Sequence, residues 1–330
     1  MKILVIGLGS MGKRRIRNLR ALGVSEIAGM DVREDRRAEA GTKYSVPTFA
    51  SAEGALAQFK PSAVIISTPP NLHMDYAFLA VRHKLPCFVE ASVVDAERIL
   101  QLHEMTLREG PLVAPSCTMR YFPGPRKVKE LVSENAIGKV VNFNYQTGQY
   151  LKDWHPWESI EEYYVSNRAT GGCREIVPFE LTWLNDIFGE PIPEACLRDR
   201  VSDLNVDIDD VYRFWLRYPG NVLASITVEV VSRPIATREL RVLGTAGQIV
   251  FSADENAVRT CNVDSPAWTR FELARGKAEA GYINPEEPYI AEVRDFLAAI
   301  ASGKPSDFPN SLLRDYKVLQ TLNDLDQLGA

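Results

Sequence analysis

Histidine and cysteine are scarce, four and five residues in a chain of 330. The cysteines, Cys87, Cys117, Cys173, Cys196 and Cys261, lie far apart, with neither a CxxC pair nor a dense Cys/His cluster. That spacing argues against structural zinc and for a reducing, cytoplasmic compartment. Long apolar runs are missing as well, since nothing approaches the ~20 residues that span a bilayer. The apolar start, MKILVIGLGSMG, is short, broken by glycine and followed by KRRIR, unlike a signal peptide. Charge of one sign never accumulates, and the net charge is −5, so neither nucleic acid nor a membrane surface is an expected partner. Internal repeats and low-complexity segments are absent. What is there, 45% hydrophobic and 25% charged residues, suits a globular chain with two cores.

Up to about residue 120, short apolar runs (KILVIG, EIAGMD, SAVIIS, PCFVE) alternate with amphipathic stretches. Such alternation predicts an α/β domain over residues 1–120, a parallel sheet with helices on both faces. Its first turn, GLGSMG, sets Gly7, Gly9 and Gly12 in GxGxxG spacing around Ser10 and Met11, between a strand and a helix. Glycines there permit a tight turn, close approach of a pyrophosphate and close helix packing, while the helix N-terminus attracts the phosphate charge. Asp31 follows Gly12 by 19 residues, close to the spacing of an acid on the ribose hydroxyls, and favours NAD over NADP. Arg33, Arg36 and Arg37 stand beside it, as acceptors for a 2′-phosphate or as a solvated helix start.

Open parallel sheets bind ligands beyond the carboxyl ends of their strands. Ser67, Thr68 and Pro69 after SAVII, His73 at the next helix start, and Glu90 and Ala91 after CFV are therefore candidate cofactor residues. His73 by itself reads first as a helix-start residue. Ser92 and Asp95 also match a capping box, which would begin a helix over VVDAERILQLHEM.

Past Arg120 the pattern changes to period two. VVNFNYQ alternates, and two hairpins are expected, around Pro219–Asn221 and around Gly244–Gly247. They predict an α+β domain over residues 121–330 with a broad, largely antiparallel sheet. Helices close the chain at PYIAEVRDFLAAIASG and SLLRDYKVLQTLNDLDQL and are expected to pack back on the first domain.

GLGSMG, STPPNLH, VEAS, MRYFPGPRKVKELV, LRVLGTAGQIVF and YIAEVRDFLAAIASGKP, in this order, resemble the Gfo/Idh/MocA family of oxidoreductases over nearly the whole chain. The resemblance implies NAD(P)-dependent oxidation or reduction of a hydroxyl on a sugar, cyclitol or nucleotide-linked sugar, in a homodimer or homotetramer built through the sheet. It also exposes departures. The family's Glu-Lys-Pro is here Glu90-Ala91-Ser92, without the lysine amine. The family's aspartate and histidine, four residues apart, align best with Glu175 and Phe179. A shift by one would use Ile176 and Glu180 instead.

Replacement groups are sought in GQYLKDWHPWESIEEYYVSNR. His155, Lys152, Tyr163 and Tyr164 carry suitable proton chemistry, and Trp154 and Trp157 offer flat faces to a sugar ring. The alternative for this segment is a packing or subunit-contact loop. WHPW is similar to segments in family members tied to surface-polysaccharide sugars. Glu175 is read as an acid-base group or as an ion pair with Arg174, and Arg120 as a substrate-anion or cofactor contact or as a structural salt bridge. Two other activities stay open: a redox-neutral reaction on tightly held NAD, and a nucleotide- or sugar-binding protein without chemistry.

Overall fold

Short apolar runs make the first sheet: β1 (Ile3–Ile6), β2 (Ile27–Met30), β3 (Thr48–Phe49), β4 (Ala63–Ile66), β5 (Cys87–Val89) and β6 (Val113–Pro115). All pairings are parallel, in the order β3-β2-β1-β4-β5-β6. Every residue of β1, β2, β4 and β5 is buried, as expected where helices cover both faces and no strand side faces water. The helices are α1 (Ser10–Ala21), α2 (Glu34–Tyr44), α3 (Ala52–Phe59), α4 (His73–Arg82) and α5 (Ala96–Thr106). Strand order reverses between β1 and β4, so the crevice suited to a ligand opens at their carboxyl ends.

The computed structural model describes residues 1–107, 110–154 and 159–329. Contacts divide the chain into two units, Met1–Thr118 with Gly276–Tyr316, and Met119–Arg275 with the residues from Lys317 on. In the second unit, α6 (Pro123–Ser133), β7 (Val140–Gly148) and α7 (Cys173–Phe188) precede seven strands. These are β8 (Ile192–Asp199), β9 (Val211–Tyr218), β10 (Val222–Glu229), β11 (Thr237–Gly244), β12 (Gly247–Ser252), β13 (Ala257–Asn262) and β14 (Ser265–Glu272). Both expected hairpins form, β9 with β10 and β11 with β12. The eight-stranded sheet is antiparallel except where β7 pairs with β10.

Successive strand residues point to opposite faces. Phe143, Tyr145, Phe214, Leu216, Ala224 and Ile226 are consequently buried on one face, which α7 and α6 cover. The chain then adds α8 (Glu287–Ser302) to the first unit, against α1, and ends in α9 (Leu312–Leu328), which begins in the first unit and continues into the second. Among the described residues, no helix is long and apolar enough to cross a membrane, and no group of three or more His, Cys, Asp or Glu side chains is placed to hold a metal ion.

Candidate functional site

The glycine turn between β1 and α1 has two glycines demanded by the fold and one that is not. Gly7 has φ 89°, and a Cβ there would stand 2.5 Å from the Ser67 carbonyl oxygen. At Gly12 a Cβ would stand 1.8 Å from the Gly7 carbonyl oxygen. Both obstacles are backbone and cannot yield. A Cβ on Gly9 would meet nothing nearer than the Arg36 side chain at 3.4 Å. Its bareness therefore keeps an approach open to the N-terminus of α1, which has no side-chain cap and no acid in its first turn. An uncapped helix N-terminus with its dipole has the chemistry that receives a phosphate.

Asp31, directly after β2 and 6% exposed, accepts from the Leu8 N–H through Oδ2 (2.7 Å) and from the Arg33 N–H through Oδ1 (2.9 Å). The carboxylate thus ties the end of β2 to the glycine turn. Of the neighbouring arginines, Arg33 places its guanidinium on Asp35, and Arg37 donates to the Asp31 and Val32 carbonyls. Arg36 is the one that reaches the turn, with Nη1 4.0 Å from Asp31 Oδ2. Sequence spacing could not single it out, because the choice depends on how α2 is rotated.

Ser67, Thr68 and Pro69 follow β4. His73 Nε2 lies 2.9 Å from the Thr68 carbonyl oxygen, and the ring is buried. Burial pushes the imidazole below its usual pKa, so it pins the loop as a neutral group. Thr68 Oγ1 and His73 Nδ1 are closed to solvent and bond to nothing among the described residues.

Glu90, after β5, is held by Arg15 of α1 through two 2.7 Å bonds, and Ser67 Oγ donates to it at 3.0 Å. Arg15 is wholly buried and bonds Glu292 of α8 at 3.1 Å, while Glu292 also accepts from Ser116 Oγ, the Cys117 N–H and Thr118 Oγ1. Glu90 therefore joins α1 to the ends of β4 and β5. Its two oxygens are taken up by the Arg15 guanidinium and the Ser67 hydroxyl.

Ala91 adds no polar side chain. The expected capping box at Ser92 does not form: α5 starts at Ala96, with Asp95 as a left-handed N-cap (φ 67°) that makes no side-chain cap bond. A left-handed Asp95 places the helix start one residue after it, beyond the reach of Ser92.

In the second unit the Gly171-Gly172 step packs the Tyr164–Ser166 turn against the start of α7. A Cβ on Gly171 would stand 2.0 Å from the Val165 carbonyl oxygen. Close packing there brings Tyr164 OH to donate to Glu175 Oε1 at 2.8 Å. Glu175 is half-buried as a residue, but its Oε2 is closed to solvent and accepts no bond among the described residues. Burial raises the carboxyl pKa to about 7, against the lowering effect of the Tyr164 bond. Arg174 turns instead to α9, pairing with Asp326 at 2.5 Å, so the ion-pair alternative for Glu175 is not formed.

Phe179 stands one helical turn beyond Glu175. Glu180 lies in the core, 1% exposed, accepting from Tyr145 OH (2.6 Å), Trp183 Nε1 (2.7 Å) and Arg238 (2.5 Å), so its carboxyl is fully engaged and does not serve the shifted register. Lys152 is exposed on a short 3-10 turn. His155 and Trp157 lie outside the described residues. Arg120 is engaged by α7, donating to the Thr182 carbonyl (3.0 Å) and pairing with Asp186 (3.3 Å).

Residues 1–109 match the family described as "Oxidoreductase family, NAD-binding Rossmann fold", and residues 126–250 match the "GFO/IDH/MocA C-terminal domain". The chain belongs to the Gfo/Idh/MocA family. Oxidoreductase P35 of Formosa agariphila is 25% identical over 59% of this chain, which spans 63% of that relative's length. An oxidoreductase from Agrobacterium radiobacter, solved with NAD+, L-tartaric acid and magnesium, shares the fold with TM-score 0.86 at 14% identity, covering 100% of this chain and 96% of its own. Levoglucosan dehydrogenase in complex with NADH does so with TM-score 0.85 at 16% identity over the same shares. Ala91 and Phe179, where the resemblance would place a lysine and a histidine, carry no group that moves a proton.

Proposed function

We propose that the protein is an NAD-dependent dehydrogenase acting on a hydroxyl of a sugar, cyclitol or nucleotide-linked sugar, with Glu175 as its acid-base group. One observation carries the reading: a carboxyl with one oxygen held by Tyr164, the other closed to solvent without a partner, and a pKa raised to about 7. A group poised near the working pH transfers protons most effectively.

The first unit serves as the cofactor domain. Gly7, Gly9 and Gly12 shape the phosphate cradle, Ser10 and Met11 open the helix above it, and Asp31 faces the ribose and disfavours a 2′-phosphate. Ser67, Thr68, Pro69 and His73 form the strand-end loop toward the nicotinamide half. Bound NAD would supply the acceptor for the hydride from the carbon that bears the hydroxyl. Glu175 takes the hydroxyl proton through Oε2, while Tyr164 fixes the carboxyl's orientation through Oε1. The second unit serves as substrate and oligomerisation domain. Levoglucosan dehydrogenase, a structural neighbour, supports a sugar-type substrate. A homodimer through the outer face of the sheet and a cytoplasmic setting, with all five cysteines unbridged, complete the reading.

The test is a panel of sugars and sugar nucleotides with NAD, followed by nicotinamide absorbance. Glu175→Gln is expected to lower turnover about 10²- to 10⁴-fold with cofactor affinity unchanged. Full turnover in that variant would refute the assignment.

A further inference from the structure

The carboxyl end of β10 carries a second group of side chains that the proposed chemistry leaves unused. Beyond β7 and β10 the chains continue side by side, with the Gln149 N–H donating to the Glu229 carbonyl (3.4 Å) and the Leu151 N–H to the Val230 carbonyl (3.0 Å). Glu229 then folds the next turn around its own carboxylate, accepting from the Val231 and Ser232 N–H groups (2.7 and 2.8 Å) and from Ser232 Oγ. The turn delivers Arg233 over the face of Tyr150, guanidinium carbon 4.5 Å from the ring centre.

Arg233 is exposed and has no carboxylate partner among the described residues; the nearest acid in sequence, Glu229, already spends its oxygens on the turn. Stacking fixes the cation's position without neutralising its charge. Four residues beyond Tyr150, the Trp154 Nε1 donor is closed to solvent and has no acceptor among the described residues. The Glu175 helix begins at this same end of the strand, where Cys173 Sγ donates to the Val228 carbonyl at 3.3 Å.

We propose that Arg233, stacked on Tyr150, is an anion-receiving subsite, and that the substrate carries a carboxylate or phosphate away from the reacting hydroxyl. This rests on the dehydrogenase reading for its link to turnover, but not for its link to binding. A flat guanidinium held by one face still presents its N–H edge, the geometry that receives a carboxylate or phosphate through paired bonds. An acidic sugar and a sugar phosphate or nucleotide sugar share that chemistry.

The experiment measures equilibrium binding of glucose, glucuronate, glucose 1-phosphate and UDP-glucose to the full NAD-loaded chain, wild type against Arg233→Ala and Arg233→Lys, and then kcat and KM for any probe that turns over. At least one anionic probe is expected to bind the wild type more tightly than glucose. Arg233→Ala should lose at least about tenfold for that probe, the scale of one charge-assisted hydrogen bond, through KM rather than kcat. Glucose binding should not change, and Arg233→Lys should recover part of the loss. Glucuronate alone responding identifies a carboxylate substrate; the phosphorylated probes responding identify a phosphate. If no anionic probe is preferred, or Arg233→Ala binds it as the wild type does, the subsite is refuted. Anion binding that depends on Arg233 without turnover of any probe upholds the subsite and counts against the dehydrogenase reading.

Discussion

Glu175 and Glu90 are both acids near a glycine or strand-end turn, yet their partners differ in kind. Arg15 binds Glu90 through two bonds, whereas among the described residues it is the Tyr164 phenol that reaches Glu175. Removing that phenol removes a bond that favours the carboxylate, so Tyr164→Phe should move the limb of the kcat/KM pH profile that lies near 7 to higher pH. Stability should respond in a defined direction too. Glu175 has a folded pKa of about 7 against a usual 4.5, so the folded state holds the proton more tightly and loses stability as pH rises across that window. Glu175→Gln should flatten this slope and be the more stable protein above pH 7, as read by urea denaturation at several pH values. Arg15→Met, by contrast, leaves Glu90 and the buried Glu292 without their cation. A loss of about 3–5 kcal/mol in unfolding free energy is expected, the cost of breaking a buried pair.

At the scale of the element, the turn from β1 into α1 separates two uses of glycine. Gly12→Ala drives a methyl to 1.8 Å from the Gly7 carbonyl oxygen, so it should weaken both folding and cofactor binding. Gly9→Ala clears the protein. It should leave the melting temperature within about 3 °C, the modest cost of alanine at an N-cap, while NAD affinity falls about tenfold or more because the methyl stands where phosphate approaches. Calorimetry and NAD titration of the two variants check the contrast; equal NAD affinity in Gly9→Ala and wild type would remove the cradle from the account. The start of α5 shows the limit of motif reading. Ser92 and Asp95 have capping-box spacing, but the left-handed conformation of Asp95 starts the helix later.

At the scale of the whole molecule, one face of the eight-stranded sheet is covered by no helix among the described residues. Trp215 (47% exposed), Leu223 (47%), Ile192 (65%) and Leu197 (62%) stand on β8, β9 and β10. Isolated exposed apolar side chains are ordinary, but a group on adjoining strands is the kind of patch that a partner covers. If the proposed dimer forms through this face, Trp215→Glu should shift it to monomer in light scattering without changing the secondary structure. An unchanged mass would discard the sheet-mediated dimer.

Two levels of order separate cleanly in this chain. The Gly7/Gly9/Gly12 turn, Asp31, both hairpins and the split between parallel and antiparallel sheets were legible in the sequence, because each depends on residues within a few turns or on a period of two. Tertiary structure decided the roles of the charged residues. Arg15 and Glu90 are far apart in sequence, as are Arg174 and Asp326, and Glu180 was assigned to the core by Tyr145 and Arg238. No local pattern specifies such partners, and a carboxyl's proton affinity follows from its burial and its neighbours. The sequence alone therefore located the glycine turn, while the packing of Tyr164 against α7 held one oxygen of Glu175 and left the other without a partner among the described residues.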